Sequence, residues 1–164
     1  MAQDPLQKAR ATSFNYLSSR ARSVYEVTQK LRQKEFAEEV IEEVLADLQR
    51  LNLLDDHAFC RRWVEARLER ATGARKLAQD LRRKGVAADI IDEVLAEYAG
   101  QLDSPGRAAH LLRKQSWRYR NLDREKARRR MLGFLARRGY DAQTAWEAID
   151  LVWKELQEDE VTGD

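Results

Sequence analysis

Three places in this sequence bring together side chains that could do chemistry. His57 and Cys60 stand one helical turn apart, a spacing that can ligate a metal ion, but no second Cys/His pair completes a tetrahedral set. A lone Cys on a helix between Phe59 and Trp63 is read more simply as a small core residue. The run Trp117-Arg118-Tyr119-Arg120 interleaves aromatics with cations, which can stack bases while holding phosphates. The other reading, and the expected one, is that Trp117 closes a core at the end of a helix. Finally, Arg128, Arg129 and Arg130 are consecutive. Three such residues on a helix fan over about 200° and cannot all pair with one acidic neighbour. No glycine-rich phosphate loop, nucleophile elbow or zinc-protease motif is present, so neither an enzyme nor a bound cofactor or metal is expected.

Charge, too, is organised along the chain. The 30 Lys and Arg nearly cancel the 28 Asp and Glu, leaving a net charge of +2 that by itself points to no nucleic-acid partner. Yet residues 61–84 sum to +6 and 107–138 to +10, while 37–56, 87–103 and 141–164 sum to −6, −5 and −7. Stripes of this kind are either solvated helix faces that pair with one another or the walls of an electropositive groove.

Helices must carry these stripes, because two prolines and seven scattered glycines are too few breakers for many strands and turns. From Ala37 to Leu51, the residues Val40, Ile41, Val44, Leu45, Leu48 and Leu51 fall on one helical stripe, opposite Glu38, Glu39, Glu42, Glu43 and Asp47. The device returns from Ala87 to Tyr98 with Ile90, Ile91, Val94, Leu95 and Tyr98. Indeed KLRQKEFAEEVIEEVLADL (30–48) lies over DLRRKGVAADIIDEVLAEY (80–98) without a gap, and FLARRGYDAQTAWEAIDLV (134–152) is a third copy. Each copy is a basic helix, a tight turn, then Phe36, Val86 or Tyr140, then an acidic helix. Gly85 and Gly139 suit the left-handed position after a helix, whereas Glu35 stands there in the first copy, so that turn should be strained or differently shaped. A further helix precedes each pair, starting near Lys8, Asp55 and Ser104. Asp55 and Asp56 are natural caps, and Ser104-Pro105 is a strong start signal.

The expectation is an all-α fold of nine helices in three tandem three-helix repeats, at 1–53, 54–102 and 103–158, followed by a flexible tail at 159–164. Units so small bury little apolar surface alone, so they should stack into an elongated, curved, solenoid-like molecule. Trp146 is anomalous, because its equivalents Glu42 and Asp92 face solvent. Rotation of the last helix, placing Trp146, Ile149 and Trp153 on the stripe, is expected over an exposed ring kept for a partner. The 43% hydrophobic content suits a folded soluble chain. The opening MAQDPLQKAR lacks a secretory apolar stretch, no run approaches a membrane span, and the single cysteine excludes a disulfide framework. A cytoplasmic monomer is expected.

These residues carry a family resemblance over nearly the whole chain. The stretch LNLLDDHAFCRRWVEARLERATGARKLAQDLRRKGV resembles the central signature of RecX proteins: leucines before paired Asp, then Phe, an aromatic, a spaced Gly and a basic helix ending in Lys-Gly. YLSSRARSVYEVTQKL and FLARRGYDAQTAWEAI resemble the first and third repeats. Asn52 stands where the family often has Gly, and Asn tolerates left-handed geometry. The resemblance implies a modulator of RecA that lodges in the groove of its filament on single-stranded DNA. It also implies reduced ATP hydrolysis, strand exchange and co-protease action toward the SOS repressor, hence a role in DNA repair.

Charge density selects the expected contacts: Arg61, Arg62, Arg67, Arg82, Arg83, Lys84, Arg113, Lys114, Arg128, Arg129, Arg130, Arg137 and Arg138. The acidic helices are the other candidate surface for RecA. A helix-turn-helix-like module acting on DNA without RecA contact is the alternative function, and weak affinity for single- or double-stranded DNA suits both. The shape expectation is checked by small-angle scattering: the radius of gyration should exceed the value of about 15 Å for a compact chain of this length, and a value at that figure removes the solenoid.

Overall fold

The computed structural model describes residues 4–162, and among them every regular element is helical. The first segment comprises α1 (Pro5–Ser19), α2 (Val24–Gln33) and α3 (Glu38–Arg50). The second comprises α4 (Asp56–Leu68), α5 (Ala74–Arg83) and α6 (Ala88–Glu97). After a single turn, α7 (Ala99–Leu102), the third comprises α8 (Pro105–Arg113), a 3-10 turn at Ser116–Arg118, α9 (Arg124–Arg137) and α10 (Ala142–Thr162). The expected all-α organisation in three three-helix segments is thus present. α1 begins at Pro5 rather than near Lys8, because the Asp4 carboxylate accepts from the Leu6 N–H and proline fills the first helical position. At the other end, α10 continues past residue 159, where the sequence suggests a tail, to Thr162.

The basic-to-acidic turn is built the same way three times. Glu35, Gly85 and Gly139 all take positive φ, at 62°, 76° and 90°. Each turn closes with an N–H reaching back five residues, from Phe36 to Leu31, Val86 to Leu81 and Tyr140 to Leu135, at 3.3, 3.2 and 3.1 Å. A shorter bond from the turn residue itself joins it, completing the paired closure that satisfies orphan carbonyls at a helix C-terminus. Glu35 therefore accepts the left-handed geometry that its counterparts meet with glycine.

Two compact units make up the chain: Met1–Trp63 with Asp80–Val94, and Val64–Gln79 with Leu95–Asp164. The boundaries run through α4, α5 and α6, so the second segment has no compact unit of its own. In the first unit α1, α2 and α3 pack together around Ala9, Val27, Leu31, Ile41, Val44, Leu48 and Leu54. Leu51, expected on this stripe, is instead 56% exposed, because α3 ends at Arg50 and Asn52 turns the chain away at φ 55°. A part-buried polar knot ties the start of α2 to the end of α5. The Ser23 hydroxyl accepts from Glu26 N–H and donates to the Lys84 carbonyl at 2.6 Å, while Asp56 accepts from Val24 N–H at 2.9 Å. Burial raises the Glu26 pKa, but hydrogen bonds from Arg20, the Ser23 backbone and Lys84 more than offset this, and the net shift is downward.

In the second unit α10 packs on α8 and α9. Its Ala145, Ala148, Ile149, Val152 and Leu156 meet Ala108, Leu112, Ala127, Met131 and Leu135 in one core. Trp153 packs against that core, but Trp146 does not join it and is 38% exposed. The expected rotation therefore holds for Ile149 and Trp153 and fails for Trp146, which lies one residue, about 100°, off the buried stripe. The Arg128 guanidinium covers its ring at 5.1 Å from the centroid. A backbone clasp also belongs to this unit: Gly73 N–H donates to the Arg138 carbonyl at 2.8 Å and Arg75 N–H to the Gly139 carbonyl at 3.1 Å.

A Cβ on Gly139 would collide with Lys76 Cβ and the Lys76 backbone nitrogen. Gly139→Ala should therefore cost more than about 2 kcal/mol in denaturant unfolding. Glu35→Gly should instead stabilise the fold by about 1 kcal/mol or less, the relief of left-handed strain exceeding the added chain entropy. Equal effects of the two changes would refute this account of the turn.

Candidate functional site

The thirteen cations selected by charge density sort into distinct groups once their partners are known. Lys84 donates to Glu26 at 3.3 Å and lies over the Trp63 ring. Arg113 grips Glu155 through two hydrogen bonds, at 2.9 and 2.7 Å. Arg128 donates to Asp150 at 2.6 Å and covers Trp146. These three are engaged within the fold, two of them with Asp150 and Glu155 of α10. Arg61 and Arg67 are half-buried on α4, while Arg62, Arg82, Arg83 and Lys114 are exposed. Arg138 covers the Phe134 ring at 5.5 Å. Arg129, Arg130 and Arg137 are exposed along α9, and no carboxylate lies within ion-pair distance of them among the described residues. The consecutive arginines thus divide as helical fanning requires, one pairing with α10 and two left over.

Those leftover cations converge. Arg129, Arg130 and Arg137 line an open cavity of about 260 Å³ together with Gln115, Arg118, Tyr119, Gly133 and Phe134. No acidic side chain lines it. Tyr119 is buried, and burial pushes its phenol pKa upward against the pull of Arg118, Arg137 and Arg130. Its hydroxyl therefore keeps its proton at neutral pH and can donate. Gln115 Nε2 is buried without a hydrogen-bond partner. Neighbouring Trp117, expected to close the core, is 67% exposed, because the 3-10 turn buries Tyr119 in its place. The Arg118 guanidinium stands 5.1 Å from the centroid of the Trp117 ring. The Trp117–Arg120 run interleaves aromatics and cations in the sequence but lies outside the contacts that charge density selects, and nothing in the sequence marks Gln115.

The His57–Cys60 pair is taken up by structure. His57 Nε2 lies 3.0 Å from Glu93 Oε2, while Cys60 is fully buried. Desolvation, and then the Asp56 charge, pushes the thiol up to about 12. Among the described residues no three His, Cys, Asp or Glu side chains converge as metal ligands, and no helix is long and apolar enough to cross a membrane.

Fold and site together define a class: an all-helical protein of three three-helix segments whose third segment presents arginines with no carboxylate partner among the described residues. Family models described as the first, second and third three-helix domains of RecX match residues 9–48, 55–95 and 106–149. The chain belongs to the RecX family. It is 35% identical to the regulatory protein RecX of Streptomyces coelicolor over 95% of this chain and 83% of that one. It is 38% identical to the regulatory protein RecX of Amycolatopsis mediterranei over 87% and 82%. A solved structure of RecX from Lactobacillus salivarius shares the fold at TM-score 0.84 with 24% identity, covering 96% of this chain and 99% of that one. A crystal structure of regulatory protein RecX superposes at TM-score 0.79 with 26% identity, covering 90% and 72%.

The Cys60 environment makes a direct prediction. In the folded protein at about pH 8 a disulfide thiol reagent should leave Cys60 unmodified, and one equivalent should react after denaturation. Rapid modification of the folded chain would contradict the buried, neutral thiol.

Proposed function

We propose that this protein binds the RecA filament on single-stranded DNA in the cytoplasm and inhibits its ATPase, strand-exchange and co-protease activities, restraining DNA repair and the SOS response. Membership of the family of regulatory proteins supports the partner. The observation that carries the surface is the set of arginines on α9 with no internal carboxylate. A cation already engaged within the fold must break that pairing before it can meet a phosphate or a protein carboxylate. The proposal therefore moves weight away from Lys84, Arg113 and Arg128, and toward Arg129, Arg130 and Arg137, with exposed Arg62, Arg82, Arg83 and Lys114 as further contacts. Binding to a polyanionic filament should weaken with salt, since each cation that replaces counterions on the phosphates contributes to the slope.

A titration of RecA ATPase inhibition tests the reading. Arg129→Ala with Arg130→Ala should raise the inhibitory concentration about tenfold or more, the loss of two charge-assisted contacts. Its thermal stability should be unchanged, because exposed charges contribute little to folding. Arg128→Ala should inhibit nearly as wild type. Full inhibition by the folded double variant would transfer the contact to the acidic helices.

A further inference from the structure

The cavity on α9 has features that a general cationic face does not need. A solvated basic face requires only exposed arginines. Here four of them, Arg118, Arg129, Arg130 and Arg137, share one concave site whose other polar side chains, Gln115 and Tyr119, are neutral. The Gln115 amide nitrogen is buried with no acceptor in the protein, and an orphaned buried donor is an uncommon feature. Four guanidinium groups with no carboxylate among the lining residues favour an acceptor of negative charge, and a phosphate presents its oxygens to several donors at once. One wall continues outward to an aromatic platform: Arg118 lines the cavity and also lies 5.1 Å from the Trp117 ring centroid, while that ring is 67% exposed. A large exposed ring beside a cationic pocket is the pairing by which sequence-tolerant single-strand sites hold a base and its phosphate together.

We propose that this cavity is a subsite for one nucleotide unit of a single strand, its phosphate seated among Arg118, Arg129, Arg130 and Arg137 and its base stacked on Trp117. The site takes the nucleic-acid strand rather than the recombinase, and its biological use rests on the filament reading above. Duplex DNA is a poor fit, because its bases are stacked on one another and cannot reach the ring. Binding is sequence-tolerant, since every base offers a π-face to the Trp117 ring and the arginines are assigned to the phosphate.

The full-length protein with a fluorescent twelve-residue oligothymidine, in the absence of RecA, tests the site. Arg129→Gln with Arg130→Gln should weaken binding about tenfold or more and reduce the logarithmic salt slope by about 1.4, twice the single-strand contribution per cation. Trp117→Ala should weaken it between about fivefold and a hundredfold, whereas Trp117→Phe keeps most of the affinity. An abasic oligomer of the same length should be insensitive to Trp117→Ala but still respond to the arginine changes. Unchanged oligothymidine binding by the folded arginine variant would overturn the phosphate seat, and equal effects of Trp117→Ala on both oligomers would overturn the base platform. Measuring RecA inhibition on the same proteins separates the two readings. Lost inhibition with intact oligomer binding sinks the subsite and keeps the filament role, while lost oligomer binding with intact inhibition supports the subsite and sinks its use on the filament.

Discussion

The left-handed turn between each basic helix and the acidic helix that follows it is the constraint on which the rest depends. An α-helix ends with carbonyls that have no partner, and a chain that must reverse within two residues can satisfy them only by placing one residue at positive φ. Glu35, Gly85 and Gly139 do this in turn, and each delivers the next side chain, Phe36, Val86 or Tyr140, back toward the helix just completed. Val86 and Tyr140 are buried as a result. The same reversal sets α3 against α2 and α10 against α9. At Gly139 the turn gains a second duty, its carbonyl accepting from Arg75 N–H with Gly73 close by, and there no side chain could be accommodated.

Which cations are available is decided by the acidic helix opposite them. α10 supplies Asp150 to Arg128 and Glu155 to Arg113, two exposed or partly exposed pairs of modest energetic worth. Their larger effect is on availability. By taking Arg128 to one side, over Trp146, the geometry leaves Arg129 and Arg130 pointing along other directions of the same helical fan. An aromatic ring that would otherwise present a bare apolar face is covered, and the unshared positive charge collects on the side of α9 that faces Arg118 and Tyr119. A charge run of twelve cations thus contributes a small cluster of four to the cavity.

Small three-helix segments have a surface-to-volume problem, and here the residues of the second segment are divided between two compact units. About fifty residues bury too little apolar area to offset the entropy of ordering them. The first and third segments each build a core from their own helices, whereas α4, α5 and α6 divide their residues between the two compact units. The Ser23–Glu26–Lys84 knot is one consequence, its part-buried polar groups hydrogen-bonded to one another where α2 begins and α5 ends.

Helical class, three-fold repetition, the turn positions at Glu35, Gly85 and Gly139, and the caps at Asp55 and Ser104 were all legible in the chain. They rest on interactions between residues a few positions apart, which periodicity and residue type encode directly. The burial of Cys60 was legible for the same reason. The fates of Leu51, Trp117 and Trp146 were not, nor was the orphaned amide of Gln115. Each depends on a neighbour far away in sequence or on a one-residue phase of a helix end, about 100° of rotation, that no local pattern resolves. Charge density likewise found every basic helix but could not separate Arg128 from Arg129. That distinction is made by Asp150, twenty-two residues away, because ion pairs form across the contacts between packed helices, and those contacts exist only once the chain has folded.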